Sequence, residues 1–190
     1  MTVIDKLARR VVALLCSRGV IDVELSEIYL YGAKTAIYTL VSTAGLLIIG
    51  CFFRRAIETI LIIVFVYINQ TLGGGFHAKT HIRCFLTMMI GLITALLALH
   101  LTIPISLVYG SLIVSIILLL NIPLVLHTHK KYLEVESEAL IKRSRISTAI
   151  QGLVVVVLLC ANANAYSFAC YLGIILSAVS RWIGYLHSRA

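Results

Sequence analysis

Six long apolar runs, separated by short polar stretches, organise the chain from residue 36 to residue 186. They cover about 36–53, 56–72, 84–102, 105–126, 147–162 and 166–186. A helix crosses the hydrocarbon core of a bilayer with about 20 residues, within a range of about 17–25. By that measure the first, third, fourth and sixth runs are full spans. The second and fifth are short, which fits tilted helices or partly re-entrant ones whose backbone is shielded by protein. Residues 3–18 carry a different pattern. Ile4, Leu7, Val11, Leu14 and Leu15 fall on one helical face, and Lys6, Arg9, Arg10 and Ser17 on others. This reads as an ordinary packed helix or as a basic amphipathic helix on the cytoplasmic membrane surface, and the basic polar side favours the second. Gly19 is placed to end it, and a short amphipathic segment with Asp22, Glu24 and Glu27 follows around Ile21 to Tyr31. The expected fold is all-α: a polytopic transmembrane helical bundle in one domain over residues 1–190. Residues 1–34 form the surface segment and 35–190 the transmembrane helices.

Composition supports this reading. Hydrophobic residues make up 61% of the 190 and charged residues 13%, against about 45–50% and about 25% in soluble domains. A small soluble domain has too little interior to hide that much apolar surface, whereas lipid accepts it. The net charge is +8, a value that by itself would admit nucleic acid as a partner. The charges, however, cluster between apolar runs, as in loops that face anionic cytoplasmic lipid, so nucleic acid is not expected.

The positions of the 16 Lys and Arg residues orient the array. Lys6, Arg9, Arg10, Arg18 and Lys34 precede the first run, and Lys79 and Arg83 follow the second. Lys130, Lys131, Lys142, Arg143 and Arg145 follow the fourth, and Arg181 and Arg189 lie at the C-terminal end. The other connections hold only Arg54 and Arg55. Both termini and the loop at 73–83 are therefore expected in the cytoplasm. The apolar stretch from Val11 to Cys16 is too short for a signal-peptide core. Five cysteines, an odd number without a CxxC pair, do not suggest a disulfide framework.

The chemistry concentrates where the second run gives way to the third: Asn69-Gln70-Thr71-Leu72-Gly73-Gly74-Gly75-Phe76-His77-Ala78-Lys79-Thr80-His81-Ile82-Arg83-Cys84. The blandest reading of Gly73, Gly74 and Gly75 is a flexible interhelical turn. His77 and Cys84 add another, because an imidazole can take the proton of a thiol and make it a nucleophile. On one unbroken helix the pair would lie about 10 Å apart along the axis, too far for the roughly 3 Å contact of a base. A bent glycine loop that carries His77 back to Cys84, in the first turn of the third run, removes the difficulty. The helix dipole and the neighbouring Arg83 would then favour the thiolate. Asn69 and Gln70 either orient His77 or cap the end of the second run. A zinc site is the rival, since His77, His81 and Cys84 would align on a continuous helix, with His127 or His129 as a fourth ligand. No HExxH pattern is present, and no metal or other cofactor is expected. Asn162 and Asn164 look like an extracellular turn. The long polar stretch from His127 to Arg145 has an acidic middle between basic flanks, and reads as a solvated helix or as a docking surface for a charged peptide.

The Gly-Gly-Phe-His77-Ala78 element, followed by Cys84 at the His-to-Cys interval, resembles the accessory gene regulator protein B (AgrB) family, membrane cysteine endopeptidases of bacterial peptide quorum sensing. The resemblance extends over the chain's length, basic N-terminus, catalytic loop and spans. It implies a bacterial cell-membrane enzyme whose substrate is a small propeptide with an amphipathic leader, a central Cys or Ser segment and an acidic tail. His77 would deprotonate Cys84, which would attack the peptide bond before the tail. The resulting thioester would be captured by the propeptide's own Cys to close a thiolactone, or by a Ser to close a lactone. Lys79, Arg83, Lys130, Lys131, Lys142, Arg143 and Arg145 are candidates for binding the acidic tail, and backbone N–H groups at the start of the third run are candidates for an oxyanion hole. A small peptide exporter, a zinc-site membrane protein and a non-catalytic scaffold are the competing readings. Gly45, Gly50, Gly91 and Gly110 would permit close helix packing in a homodimer.

Overall fold

The computed structural model describes residues 3–73, 80–99, 113, 116 and 133–189. Among them the chain is helical without strands: α1 (Val3–Ser17), a 3-10 turn (Val23–Leu25), α2 (Ser26–Phe52), α3 (Ala56–Gly73), α4 (His81–Ala98), α5 (Leu133–Cys160) and α6 (Asn164–Arg189). Four stretches are long and apolar enough to cross a membrane: Val23–Phe52, Ala56–Gly73, Ile141–Cys160 and Asn164–Leu186. The described helix in the third run, Ile82–Ala98, is the shorter one. This reverses part of the length reading above. The fifth run gains a full span because its helix continues through the basic residues at 142–145 without a break. The fourth run lies outside the described residues except at Ile113 and Ile116.

The chain divides into two compact units, Met1–Leu46 and Leu47–Ala190. In the first, α1 packs on α2 through Ala8 and Val12 against Leu30, flanked by Cys16, Ala33 and Ile37. Lys34 Nζ meets Asp5 Oδ1 at 2.8 Å across the same pair of helices. None of the five residues of the apolar face expected from the sequence is buried; α1 packs through its neighbours instead. Ala8 and Val12 are buried, whereas Val3, Leu7, Val11 and Leu14 form an exposed stripe. Gly19, with φ of 65°, ends α1 as expected: its N–H donates to Cys16 O and that of Val20 to Leu15 O. The helix from Ser26 runs without interruption past residue 35, so the surface segment and the first apolar run share one element.

In the second unit α3, α5 and α6 form the core, with α6 the most enclosed; Ala169, Cys170, Ile174, Ser177 and Arg181 of α6 are all buried. The α3–α6 crossing is close. A Cβ on Gly173 would stand 2.7 Å from Phe65 Cβ and 3.2 Å from Ile62 O. Gly50 faces Thr59, and Gly91 faces Leu176, so these two small residues serve packing within the chain. Arg54 and Asn162 adopt left-handed backbone (φ 56° and 57°) and close the turns after α2 and α5. In the second turn the Asn162 N–H reaches Leu159 O and the Ala163 N–H reaches Leu158 O. The residues at 162 and 164 thus form the expected turn.

The core is largely apolar, but it also holds polar side chains, and the exterior is rich in large apolar ones. Thr59, Asn69, Thr148, Gln151, Ser167 and Ser177 are buried, while Ile57, Ile60, Val64, Leu153, Val156 and Val157 are exposed. Lipid rewards exposed apolar side chains, and buried hydroxyls and amides then hold helices together by hydrogen bonds. Several hydroxyls bond back along their own helix, such as Thr148 Oγ1 to Ser144 O at 2.9 Å. Others bridge helices, such as Ser167 Oγ on α6 to Val155 O on α5 at 2.9 Å.

Candidate active site

Cys84 lies in the first turn of α4, as a nucleophile at a helix N-terminus would. Thr80 starts that helix. Its backbone is extended (φ −131°, ψ 145°), and its Oγ1 accepts a 3.4 Å hydrogen bond from the Arg83 N–H. The Cys84 N–H donates to Thr80 O at 3.1 Å. Extended backbone at Thr80 excludes one continuous helix from 77 to 84, and with it the aligned His77, His81, Cys84 ligand set on which the zinc reading depended. No cluster of three metal-ligating side chains occurs among the described residues.

Half-buried Cys84 opens the inner stripe of α4, which continues through Met88 to buried Leu92 and Leu96. Residues four apart share a helical face, so Met88 reports which neighbour Cys84 looks toward. The Gln70 Nε2 of α3 approaches Met88 Sδ at 4.0 Å and Ser180 Oγ of α6 at 3.5 Å. The thiol therefore belongs to the face of α4 that turns toward the C-terminal part of α3. Arg83 is rotated about 100° away around the helix and is exposed. Its position beside Cys84 in sequence thus does not place its side chain on the same face.

Asn69 does not cap the end of α3. Its Nδ2 donates to Phe65 O (3.0 Å), to Gln151 Oε1 on α5 (2.7 Å) and to Ser177 Oγ on α6 (3.3 Å). Its Oδ1 is buried and accepts no hydrogen bond from the described residues. Gly73, the last residue of α3, has helical backbone, and its missing side chain serves space rather than conformation. A Cβ there would overlap Nη2 and Cζ of Arg181.

Gly74, Gly75, His77 and Lys79 lie outside the described residues, as do Lys130 and Lys131. Lys142, Arg143 and Arg145 are exposed on α5 around buried Ser144. Two features escaped the sequence reading. Arg181, counted there among the cytoplasmic-end charges, is 1% exposed within the bundle. Ser144, Thr148 and Gln151 recur at helical spacing and are all buried; the spacing is visible in the sequence, but the basic residues around Ser144 mark the segment as solvated.

Among the described residues, a helical bundle with an apolar exterior, polar side chains buried between its helices and a half-buried thiol at a helix start defines a polytopic membrane protein. The chain belongs to the Accessory gene regulator B (AgrB) family, whose model matches residues 4–181. No curated protein and no solved structure matches it. Membership is consistent with a membrane protein that processes a quorum-sensing propeptide.

Proposed function

We propose that this chain is a membrane cysteine endopeptidase that removes the acidic tail of an autoinducer propeptide and lets the remainder cyclise. The supporting observation is the placement of Cys84: in the first turn of α4, on its inward face, after a break at Thr80. In this reading His77, which lies between Gly73 and Thr80 in the sequence, takes the Cys84 proton. The thiolate attacks the carbonyl before the tail, the tail leaves as an amine that receives that proton, and a thioester remains. The propeptide's own thiol then attacks the thioester, closes the ring and returns Cys84 as a thiol. Holding both ends of the acyl peptide at one site makes ring closure competitive with hydrolysis.

The first-turn N–H groups of a helix have no intrahelical acceptor. Here the Arg83 and Cys84 N–H groups are occupied by Thr80, which leaves those of His81 and Ile82 as oxyanion donors. Lys142, Arg143 and Arg145 would draw the acidic tail, together with Lys79, Arg83, Lys130 and Lys131. The basic residues beside α3, α4 and α5 support a cytoplasmic position for this junction and for both termini.

The test uses the full chain in liposomes with synthetic propeptides that have an amphipathic leader, a central cysteine and an acidic tail. Mass spectrometry should find the released tail and an acyl adduct on Cys84, and Cys84→Ala and His77→Ala should each abolish cleavage while inserting normally. Full cleavage by Cys84→Ala refutes the enzyme. Passage of intact peptide across the membrane without cleavage would establish the exporter instead.

A further inference from the structure

The N-terminal unit leaves one apolar helix face open. α1 packs on α2 through Ala8 and Val12, while Val3, Leu7, Val11 and Leu14 stand exposed. At about 100° per residue, the middle of that stripe lies about 120° around α1 from the Ala8–Val12 line. The helix therefore has one apolar face that holds it to its own chain and a second, separate one. Charge is arranged around the second. Lys6 and Arg10 border the stripe on the side away from α2, Arg9 stands nearly opposite it, and all three are exposed. The single acidic residue of α1, Asp5, lies on the α2 side, where Lys34 Nζ meets it at 2.8 Å. Around the stripe α1 thus offers cations and no carboxylate.

The level of α1 along α2 follows from its contacts. They fall on Leu30, Ala33 and Ile37, where the polar start of α2 gives way to the apolar run that begins at residue 36. Tyr29 and Tyr31 are exposed on α2 at the same level, and tyrosines concentrate where a span passes from hydrocarbon to headgroups. Leu40 and Val41, a turn further on, are exposed as well, and they belong to the candidate span Val23–Phe52. The open face of α1 therefore lies at the level of the bilayer boundary, beside the apolar exterior of a span. An apolar stripe edged by cations fits that boundary when its lipids are anionic. Each cation held near an anionic surface strengthens adsorption about fivefold. A second copy of α1 laid on the stripe would instead bring like charges together, which opposes association.

We propose that α1 is a docking surface for an anionic lipid leaflet: Val3, Leu7, Val11 and Leu14 enter the edge of the acyl region, Lys6 and Arg10 take lipid phosphates, and Ala8 and Val12 keep the helix on α2. The two readings that the sequence allowed for this segment, packed helix and surface helix, are then both true, on different faces. Asp5 has its own part, since its pairing with Lys34 keeps a carboxylate away from the phosphates. The inference does not depend on the peptidase reading.

The test uses the full chain, cleared of its native cysteines, in vesicles of phosphatidylcholine alone or mixed in equal parts with phosphatidylglycerol. A polarity-sensitive fluorophore is attached at Leu7→Cys, Leu14→Cys or Arg9→Cys. Quenching by nitroxides on the acyl chains is compared with quenching by aqueous acrylamide. In the mixed vesicles the labels at 7 and 14 should be quenched by lipid and shielded from acrylamide, and the label at 9 should show the reverse. Lys6→Glu with Arg10→Glu should move the ratio of docked to undocked helix at least about tenfold toward undocked, and so should pure phosphatidylcholine. The lipid comparison leaves the charges of the protein unchanged, so it decides the matter even where the charge variant folds poorly. Equal acrylamide access at 7 and 9, or the same lipid quenching in both vesicles, overturns the proposal. So does shielding of position 7 that grows with protein density without lipid quenching, which assigns the stripe to a second copy. Shielding that appears only when an amphipathic propeptide is added assigns it to that peptide and overturns the proposal too.

Discussion

Asn69 on α3 donates from its side-chain amide to the Oε1 of Gln151 on α5 across 2.7 Å, and both side chains are buried. The pair joins two helices whose sequence positions are 82 apart, at the level where α6 adds Ser177. Breaking one side should hurt more than replacing both. Removing the partner of a buried polar group costs about 1–3 kcal/mol, while an apolar pair of similar shape can be nearly neutral. Asn69→Leu and Gln151→Leu should each lower the stability of the bundle in lipid by an amount in that range. The double variant should lose less than the sum, measured as a double-mutant cycle by thermal or denaturant unfolding in detergent. Strict additivity would mean that the two amides do not interact in the membrane.

The start of α4 should depend on Thr80. Loss of a Thr N-cap costs about 1 kcal/mol, which corresponds to roughly a fivefold change in local opening. Thr80→Ala should speed hydrogen exchange at the Arg83 amide by about that factor, since the Thr80 hydroxyl holds it, whereas the Cys84 amide bonds the Thr80 carbonyl, which alanine keeps. Thr80→Ser should restore protection. Equal exchange in the Ala variant and wild type would show that the helix begins without this cap.

Charges and turns give a topology that labelling can check. The Asn162 turn between α5 and α6 lies at the opposite end of the apolar stretch Ile141–Cys160 from Lys142, Arg143 and Arg145. In a chain cleared of its native cysteines, Asn162→Cys should react with an impermeant maleimide on intact cells. Arg143→Cys should react only after permeabilisation. The reverse pattern would invert the whole array and move the Cys84 junction to the outside.

An acidic peptide tail should feel the exposed basic residues of α5. Reversing Lys142, Arg143 and Arg145 to Glu should weaken binding of a synthetic acidic tail peptide at low ionic strength. The difference from wild type should shrink at about 1 M salt, where the screening length is near 3 Å. Binding unaffected by either change would remove these three residues from the substrate surface.

Much of the bundle could be read from hydrophobic spacing. The ends of α1, α2 and α5 are marked by Gly19, Arg54 and Asn162 in left-handed backbone, and two of those three were visible as punctuation, a glycine and an Asn-rich turn. That α1 packs through Ala8 and Val12 was not visible, because both look unremarkable until Leu30 is packed against them. Helix length was misjudged at the fifth run for a related reason. Basic residues between 142 and 145 resemble a loop in sequence, yet they stay helical while Ser144 turns inward.

The sequence by itself determined that this protein lives in a membrane, that it is helical, and that a thiol and an imidazole stand seven positions apart at one junction, because composition and spacing are local properties of the chain. Only the tertiary structure decided that Arg181 is buried against Asn69 and Ser144, that Gly73 is a slot for it, and that Met88, one turn after Cys84, meets Gln70 of α3. Those relations join residues far apart in the sequence. Their signs depend on which faces meet when three helices pack, and no one-dimensional pattern carries that information.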